Sequence, residues 1–407
     1  MPKSPTTTRL PRAEGPCKAA TDQKESNQLD PCPSLAHLRR ERGFCLTSLA
    51  QCKPAGHYWL DLNLIPTMKA ARMPGNKQNS AVSIVIPTWN GRELLARFLP
   101  SVTEALAAWP GSGELVVADD GSTDGTPEFL ASDFPGVRVV VSELNRGFSA
   151  TANMGVEAAA NRVVVLLNND VETERGFLSP LVRWFVKPDV FAVCARSLDW
   201  DHTTFRDGGK AGYWKRGFWR VWRNYDVRRG GGAEPLPWPS IYAPGGFTAF
   251  NREKWLELGG LDSLFAPFNW EDTDICYRAL KRGWQVLYEP ESLVYHSPNT
   301  TIGRTEGKLR VRFVSRRNRL LFHWKNLTDP RLLLANLLFS ALSLPLSILR
   351  LDLASVAAFA AAAARLGAVV RRRAVEKRQT VVSDSTLRRR FSELEHLLKR
   401  TDGGWLE

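Results

Sequence analysis

The chain has 407 residues, 43% hydrophobic and 24% charged, which suits one large folded body with appendages or two domains. Six cysteines without a CxxC pair exclude a disulfide-built scaffold and a cysteine zinc site, and four of them (Cys17, Cys32, Cys45, Cys52) fall in the first 52 residues. The net charge of +13 sits in the ends: residues 81–364 hold 32 basic and 30 acidic side chains, so the charge points to an anionic surface rather than to a nucleic-acid groove.

Residues 1–80 are rich in Pro, Thr, Lys and Arg, and no hydrophobic period holds for long, so they read as a poorly ordered extension. No basic start leads into a clean apolar run with a small-residue cleavage site, so a signal peptide is not expected. Met68 or Met73, just before the first strong strand, is an alternative start.

From Ala81 the pattern changes. Residues 81–87 are a short apolar, β-branched run that stops at Pro87, as a buried parallel strand would. A helix is predicted over 91–109. Strands are predicted over 114–121 and 137–141, a small-residue-rich helix over 148–161, and a fourth strand over 162–170. This alternation predicts an α/β body with a mostly parallel sheet. Polar residues cluster at the carboxyl ends of strands one, two and four, where open α/β sheets bind ligands.

The stretch 171–330 is irregular and carries many tryptophans, a residue whose flat face suits sugar contacts as well as plain packing. After Arg331, residues 332–349 carry no charge and are interrupted by Pro345. Residues 353–364 are again apolar, and Arg371, Arg372, Arg373, Lys377 and Arg378 follow. A membrane span needs about 20 apolar residues. Apolar helices bordered by arginines suit a pair lying in the membrane surface, with 371–407 as a basic tail.

Four groups could carry chemistry. Asp119 and Asp120, before a Gly-Ser-Thr-Asp turn, could accept hydrogen bonds from a nucleobase or a ribose. Asn168-Asn169-Asp170 could hold Mg²⁺ or Mn²⁺, since hard ions take oxygen ligands and keep few from the protein. Glu271, Asp272 and Asp274 crowd the start of a predicted helix; capping accounts for one, and crowding can raise the pKa of another to suit general-base work. His296, at a strand end, could complete a metal site.

In this order, the segments Val85-Ile86-Pro87-Thr88-Trp89-Asn90-Gly91, Asp119-Asp120-Gly121-Ser122-Thr123-Asp124, Asn145-Arg146-Gly147-Phe148 with Asn153, Leu166-Leu167-Asn168-Asn169-Asp170, Pro244-Gly245-Gly246, Trp270-Glu271-Asp272-Thr273-Asp274 and Val294-Tyr295-His296 resemble the family 2 glycosyltransferases, rhamnosyltransferase-like members in particular, over about 220 residues. The resemblance implies a GT-A nucleotide-sugar-binding fold. It implies that Pro87, Thr88 and Asn90 line a nucleoside pocket, that Asp120 or Asp119 reads the base, and that Arg146, Gly147, Asn153, Asn168 and Asn169 complete the donor site. Asp170 and His296 would hold Mg²⁺ or Mn²⁺. Here Asn168 replaces the first acid of the family's Asp-x-Asp motif, so Asp170 is its one charged ligand. Gly245, Gly246 and Trp270 would meet the acceptor, and Asp272, beside Glu271, would be the base. The partners implied are a nucleoside-diphosphate sugar, a glycan or lipid-linked acceptor and the cytoplasmic face of the membrane, with no nucleic acid. The Gln-x-x-Arg-Trp motif of processive synthases is absent. A polyprenyl-phosphate sugar synthase and a non-catalytic nucleotide-binding membrane scaffold are the alternatives; a dehydrogenase is disfavoured because no GxGxxG follows the first strand.

Overall fold

The computed structural model describes residues 81–227, 237–296 and 307–400. The extension 1–80, with its alternative starts and four cysteines, and residues 401–407 lie outside the described residues.

The run Val82–Thr88 forms β1, and all seven residues are buried. Alternate side chains serve opposite faces: Ile84 and Ile86 pack with Leu95 and Leu99 of α1 (Arg92–Ala108), whereas Val85 packs with Ala152 and Val156 of α3 (Phe148–Ala158). Two parallel neighbours flank β1. These are β2 (Gly113–Asp119) and β4 (Val163–Leu167), and β3 (Arg138–Val141) adds outside β2. A short helix missed in the sequence, α2 (Thr126–Asp133), bridges β2 and β3.

The sheet continues past β4 into the stretch that reads as irregular. Its first elements are β5 (Glu172–Thr173), α4 (Leu178–Val182), β6 (Val190–Leu198), β7 (Phe205–Asp207) and a separate hairpin of β8 (Gly209–Lys215) and β9 (Phe218–Tyr225). Then come β10 (Trp238–Pro239), β11 (Phe247–Asn251), α5 (Arg252–Glu257), α6 (Glu271–Lys281) and β12 (Gln285–Tyr295). The main sheet runs β10-β12-β6-β11-β4-β1-β2-β3, with β5 on β12 and β7 on β6. The strand β11 is antiparallel to both β4 and β6, so the sheet is mixed. The chain moves outward from β1 to β3 and returns to the other edge of β1 as β4. The strand order therefore reverses at β1, and a crevice opens at the carboxyl ends of β1 and β4.

Among the described residues, five helices follow: α7 (Lys308–Asn326), α8 (Pro330–Leu349), α9 (Leu353–Ala363), α10 (Leu366–Gln379) and α11 (Asp384–Arg400). By length and composition α8 could cross a membrane, and α9 with α10 forms a bent apolar pair. The basic residues 371–400, read from charge as a tail, lie in α10 and α11 and are docked. Leu387, Phe391, Leu394 and Leu398 are buried at helical spacing, with Phe391 4.9 Å from Trp219. Asp384 anchors the junction. Its carboxylate accepts from Tyr277 (2.7 Å) and from the backbone amides of Thr328 (2.6 Å) and Asp329 (2.7 Å), and it pairs with buried Lys281 at 3.0 Å.

Replacing Asp384 with Ala strands the Lys281 charge in the interior. The expected loss is about 3–5 kcal/mol of unfolding free energy, measured by urea titration. A loss under about 1 kcal/mol, the value of a surface pair, contradicts the buried anchor.

Candidate active site

The crevice is lined by the ends of the strands that the apolar runs create. Asn169 Nδ2 donates to Thr88 Oγ1 at 2.9 Å and joins the ends of β4 and β1. Asp120 N donates to Thr88 O at 2.9 Å. The acidic pair divides its work. Both oxygens of Asp120 accept backbone amides, from Arg146 at 2.9 Å and Gly147 at 2.8 Å, so this carboxylate clamps the loop before α3. Asp119 accepts from Ser122 N at 2.9 Å through Oδ1, while its Oδ2 is buried without a hydrogen-bond partner. A buried carboxylate oxygen left unpaired is costly, so Asp119 is the acid available to a ligand.

Asn90 is a scaffold for the turn, its Oδ1 accepting from Thr123 N at 2.8 Å and its own amide donating to Ser122 Oγ at 2.7 Å. It takes a left-handed φ of 47° to do so. Pro87 is buried within β1 opposite Ala118, and exposed Trp89 stands beside it at the crevice. Asn153 lies elsewhere: its amide exchanges two 2.9 Å hydrogen bonds with the backbone of Leu261, and Arg146 and Asn153 both line a different cavity of about 570 Å³ behind α3. These two side chains are not brought to the crevice.

Asp170 and His296 do meet. His296 follows β12, its amide bound to Leu198 O at 2.8 Å, and its Nε2 stands 3.5 Å from Asp170 Oδ1. That separation exceeds a hydrogen bond, and the two atoms are the donor types a divalent ion accepts. The pair therefore fits an ion whose other ligands come from phosphate or water. No group of three His, Cys, Asp or Glu suited to a metal occurs among the described residues.

On the opposite side, the Gly245-Gly246 turn approaches Asn168 so closely that a Cβ at Gly246 would fall 2.7 Å from Asn168 Nδ2. Asn168 N donates to Gly246 O at 2.9 Å, and the Gly245 amide donates to the Asp272 carboxylate. Asp272 is thus tied through this turn to the Asn168–Asp170 segment. The helix α6 begins at Trp270, held at a left-handed φ of 80° after Asn269 at 68°. Two consecutive non-glycine residues in this region are strained, and the α6 start is over-determined by packing, with the Trp270 ring 5.1 Å from Phe322. The Trp270 ring belongs to this aromatic cluster.

The three acids of α6 separate by environment. Asp274 is structural, accepting from Arg278 Nε at 2.7 Å, Lys325 Nζ at 2.9 Å and Asn326 Nδ2 at 2.7 Å. Burial and then the Asp272 charge push Glu271 up to about 8, and its Oε2 is unpartnered. Burial raises Asp272 too, opposed by the Thr273 amide and by Lys210. Burial thus biases both carboxyls toward the protonated form, and each disfavours ionisation of the other. Lys210 of β8 carries no motif and was not legible in the sequence. It is buried, pairs with Asp207, donates to Asn224 at 2.9 Å, and burial lowers its pKa to about 7 against the opposing pull of Cys194 and then Asp272.

Residues 83–258 match the family model for glycosyl transferase family 2. The chain is 25% identical over 244 residues to the pre-mycofactocin glycosyltransferase of Mycobacterium tuberculosis, covering 58% of this chain and 47% of that protein. It is 27% identical over 249 residues to the N-acetylglucosaminyl-diphospho-decaprenol L-rhamnosyltransferase of the same organism, covering 54% and 77%. The O-antigen chain rhamnosyltransferase of Salmonella typhimurium is 25% identical over 229 residues, covering 54% and 67%. The chain spans about half the length of the first of these relatives. Among solved structures, GalNAc-T7 with UDP, GalNAc and Mn²⁺ superposes with a TM-score of 0.47 at 20% identity, covering 62% of this chain and 49% of that one.

Glu271 binds a proton on folding at any pH between its ordinary value of 4.5 and about 8, so its contribution to stability becomes less favourable as pH rises through that window. Glu271→Gln is expected to raise the melting temperature relative to wild type at pH 7.5 and to have little effect at pH 4.5. An equal shift at both values contradicts the assignment. The motif order and the strand order agree with the match of residues 83–258 to the glycosyl transferase family 2 model.

Proposed function

We propose that the chain transfers a sugar from a nucleoside-diphosphate donor to an acceptor hydroxyl, with inversion at the anomeric carbon. One observation supports the reading: Asp170 stands 3.5 Å from His296, and the Gly245-Gly246 turn that donates to Asp272 also accepts from the amide of Asn168, two residues before Asp170. The open oxygen of Asp119 would accept from the base of the nucleotide, while Asp120 keeps the 146–147 loop in place beneath it. Asp170 and His296 would hold Mg²⁺ or Mn²⁺, which when bound offsets negative charge on the departing diphosphate.

Asp272 would take the proton of the attacking hydroxyl, general-base help being worth roughly 10²–10⁴-fold in rate. Burial raises the basicity of this carboxylate, while the Thr273 amide, Lys210 and the Gly245 amide favour its ionised form. The names of the mycobacterial and Salmonella relatives support a cell-envelope glycan or lipid-linked acceptor, presented at the cytoplasmic face of the membrane.

Asp272→Asn is expected to lower transfer by roughly 10²–10⁴-fold while nucleotide affinity stays within about twofold. Glu271→Gln, the isostere of a carboxyl that stays protonated, should keep most of the activity. Turnover near wild type in Asp272→Asn contradicts the base and favours a phosphate acceptor, which needs none. Asp170→Ala should weaken Mn²⁺-dependent binding of the donor nucleotide by calorimetry, and an unchanged titration contradicts the ion site.

A further inference from the structure

The helix α8 is built inside out. Its two buried residues are polar, Asn336 and Ser340. Leu334, Leu338, Leu342 and Leu349 face outward, Leu342 being 65% and Leu349 79% exposed. A surface helix of a water-soluble body shows the reverse. Asn336 holds this orientation: its Nδ2 donates to Gly217 O at 3.1 Å in the β8–β9 turn. A Cβ at Gly217 would fall 2.2 Å from Asn336 N, so the turn meets the helix backbone directly. The outward leucines continue through Leu351 and Leu353, past the end of the helix.

Guanidiniums gather along the other side of the same turn. Arg220 and Phe218 point to one face of β9, two residues apart. Arg319 of α7 lies 4.2 Å over the Phe218 ring, and Arg316 is one helical turn before it. Arg216, at the turn itself, lies 5.6 Å over Phe339 of α8. Asp352 pairs with Arg312 and Arg316. No carboxylate among the described residues pairs with Arg220 or Arg319. Like charges held together without a counter-ion are unfavourable unless an anion joins them, and planar guanidiniums match phosphate in bidentate fashion.

We propose that Arg216, Arg220 and Arg319 form a site for the phosphate of an anionic membrane lipid, with the leucine face of α8 lying in the membrane surface among the acyl chains. The helix is strapped to the hairpin along its polar side, so it lies in the interface and does not cross it. Apolar burial and headgroup phosphate then act together, as interfacial helices require. The hairpin that carries Arg220 also carries Lys210, so the lipid surface and the Asp272 side of the crevice are joined by one element.

The test is sedimentation of the full chain with vesicles, which needs neither donor nor acceptor, so its failure would leave the transfer reading untouched. Binding to mixed phosphatidylcholine–phosphatidylglycerol vesicles is expected, with much weaker binding to phosphatidylcholine alone. Arg220→Gln with Arg319→Gln should lower affinity for the mixed vesicles about 25-fold, at roughly fivefold per arginine. Leu338→Gln with Leu342→Gln, on the exposed face, should lower binding to vesicles while leaving the melting temperature unchanged. Equal binding to both vesicle compositions, or wild-type binding by either double variant, overturns the proposal. Tight binding of inorganic phosphate by calorimetry with no binding to the mixed vesicles also overturns it, because the site would then take free phosphate rather than lipid.

Discussion

A strand that is buried along its whole length and paired on both edges has no place for a polar side chain except at its end. The strand β1 is in that position, with β2 on one edge, β4 on the other and helices on both faces. Its neighbours share the constraint, since β4 is also buried throughout. The polar groups of all three strands are therefore displaced to one rim, and the reversal of strand order leaves that rim uncovered by a crossover. The open polar rim follows from how the apolar runs pack.

The rim is then divided between groups that hold shape and groups left open. Asp120, Asn90 and Asn169 satisfy backbone amides or each other and fix the loops. Asp119 Oδ2 and Glu271 Oε2 remain buried without partners. Adjacent residues of one chemical type thus have opposite roles, decided by which of them meets the backbone of a neighbouring loop. Asp272 and Glu271 repeat the pattern in protonation: burial raises both, and a cation and amides favour the ionised form of Asp272.

Much of this was legible in the sequence. The β-branched runs marked β1, β2 and β4, with β2 and β4 ending two and three residues earlier than expected, and the polar residues after them marked the rim. The role of Asp119 against Asp120 was not, because it depends on amides at 146 and 147 that approach only in the fold. Lys210 was hidden for the same reason, and Asn153, whose motif suggested the donor site, is engaged with Leu261. The strands β6, β11 and β12 escaped because, unlike β1 and β4, their apolar runs are short or broken by small, charged or proline residues such as Arg196, Thr248 and Pro290. In α11 the arginines mask the apolar positions 387, 391, 394 and 398, which dock the helix. The apolar run 332–349 was visible, but that its polar side faces the protein was not.

The most direct measurement is diffraction from crystals of the full chain grown with a nucleoside diphosphate and Mn²⁺, recorded at a wavelength where manganese scatters anomalously. The account predicts one anomalous peak between Asp170 and His296, the base hydrogen-bonded to Asp119, and the Asp272 carboxylate facing the diphosphate across the Gly245-Gly246 turn. A peak away from Asp170 and His296, or a base bound without Asp119, would contradict it.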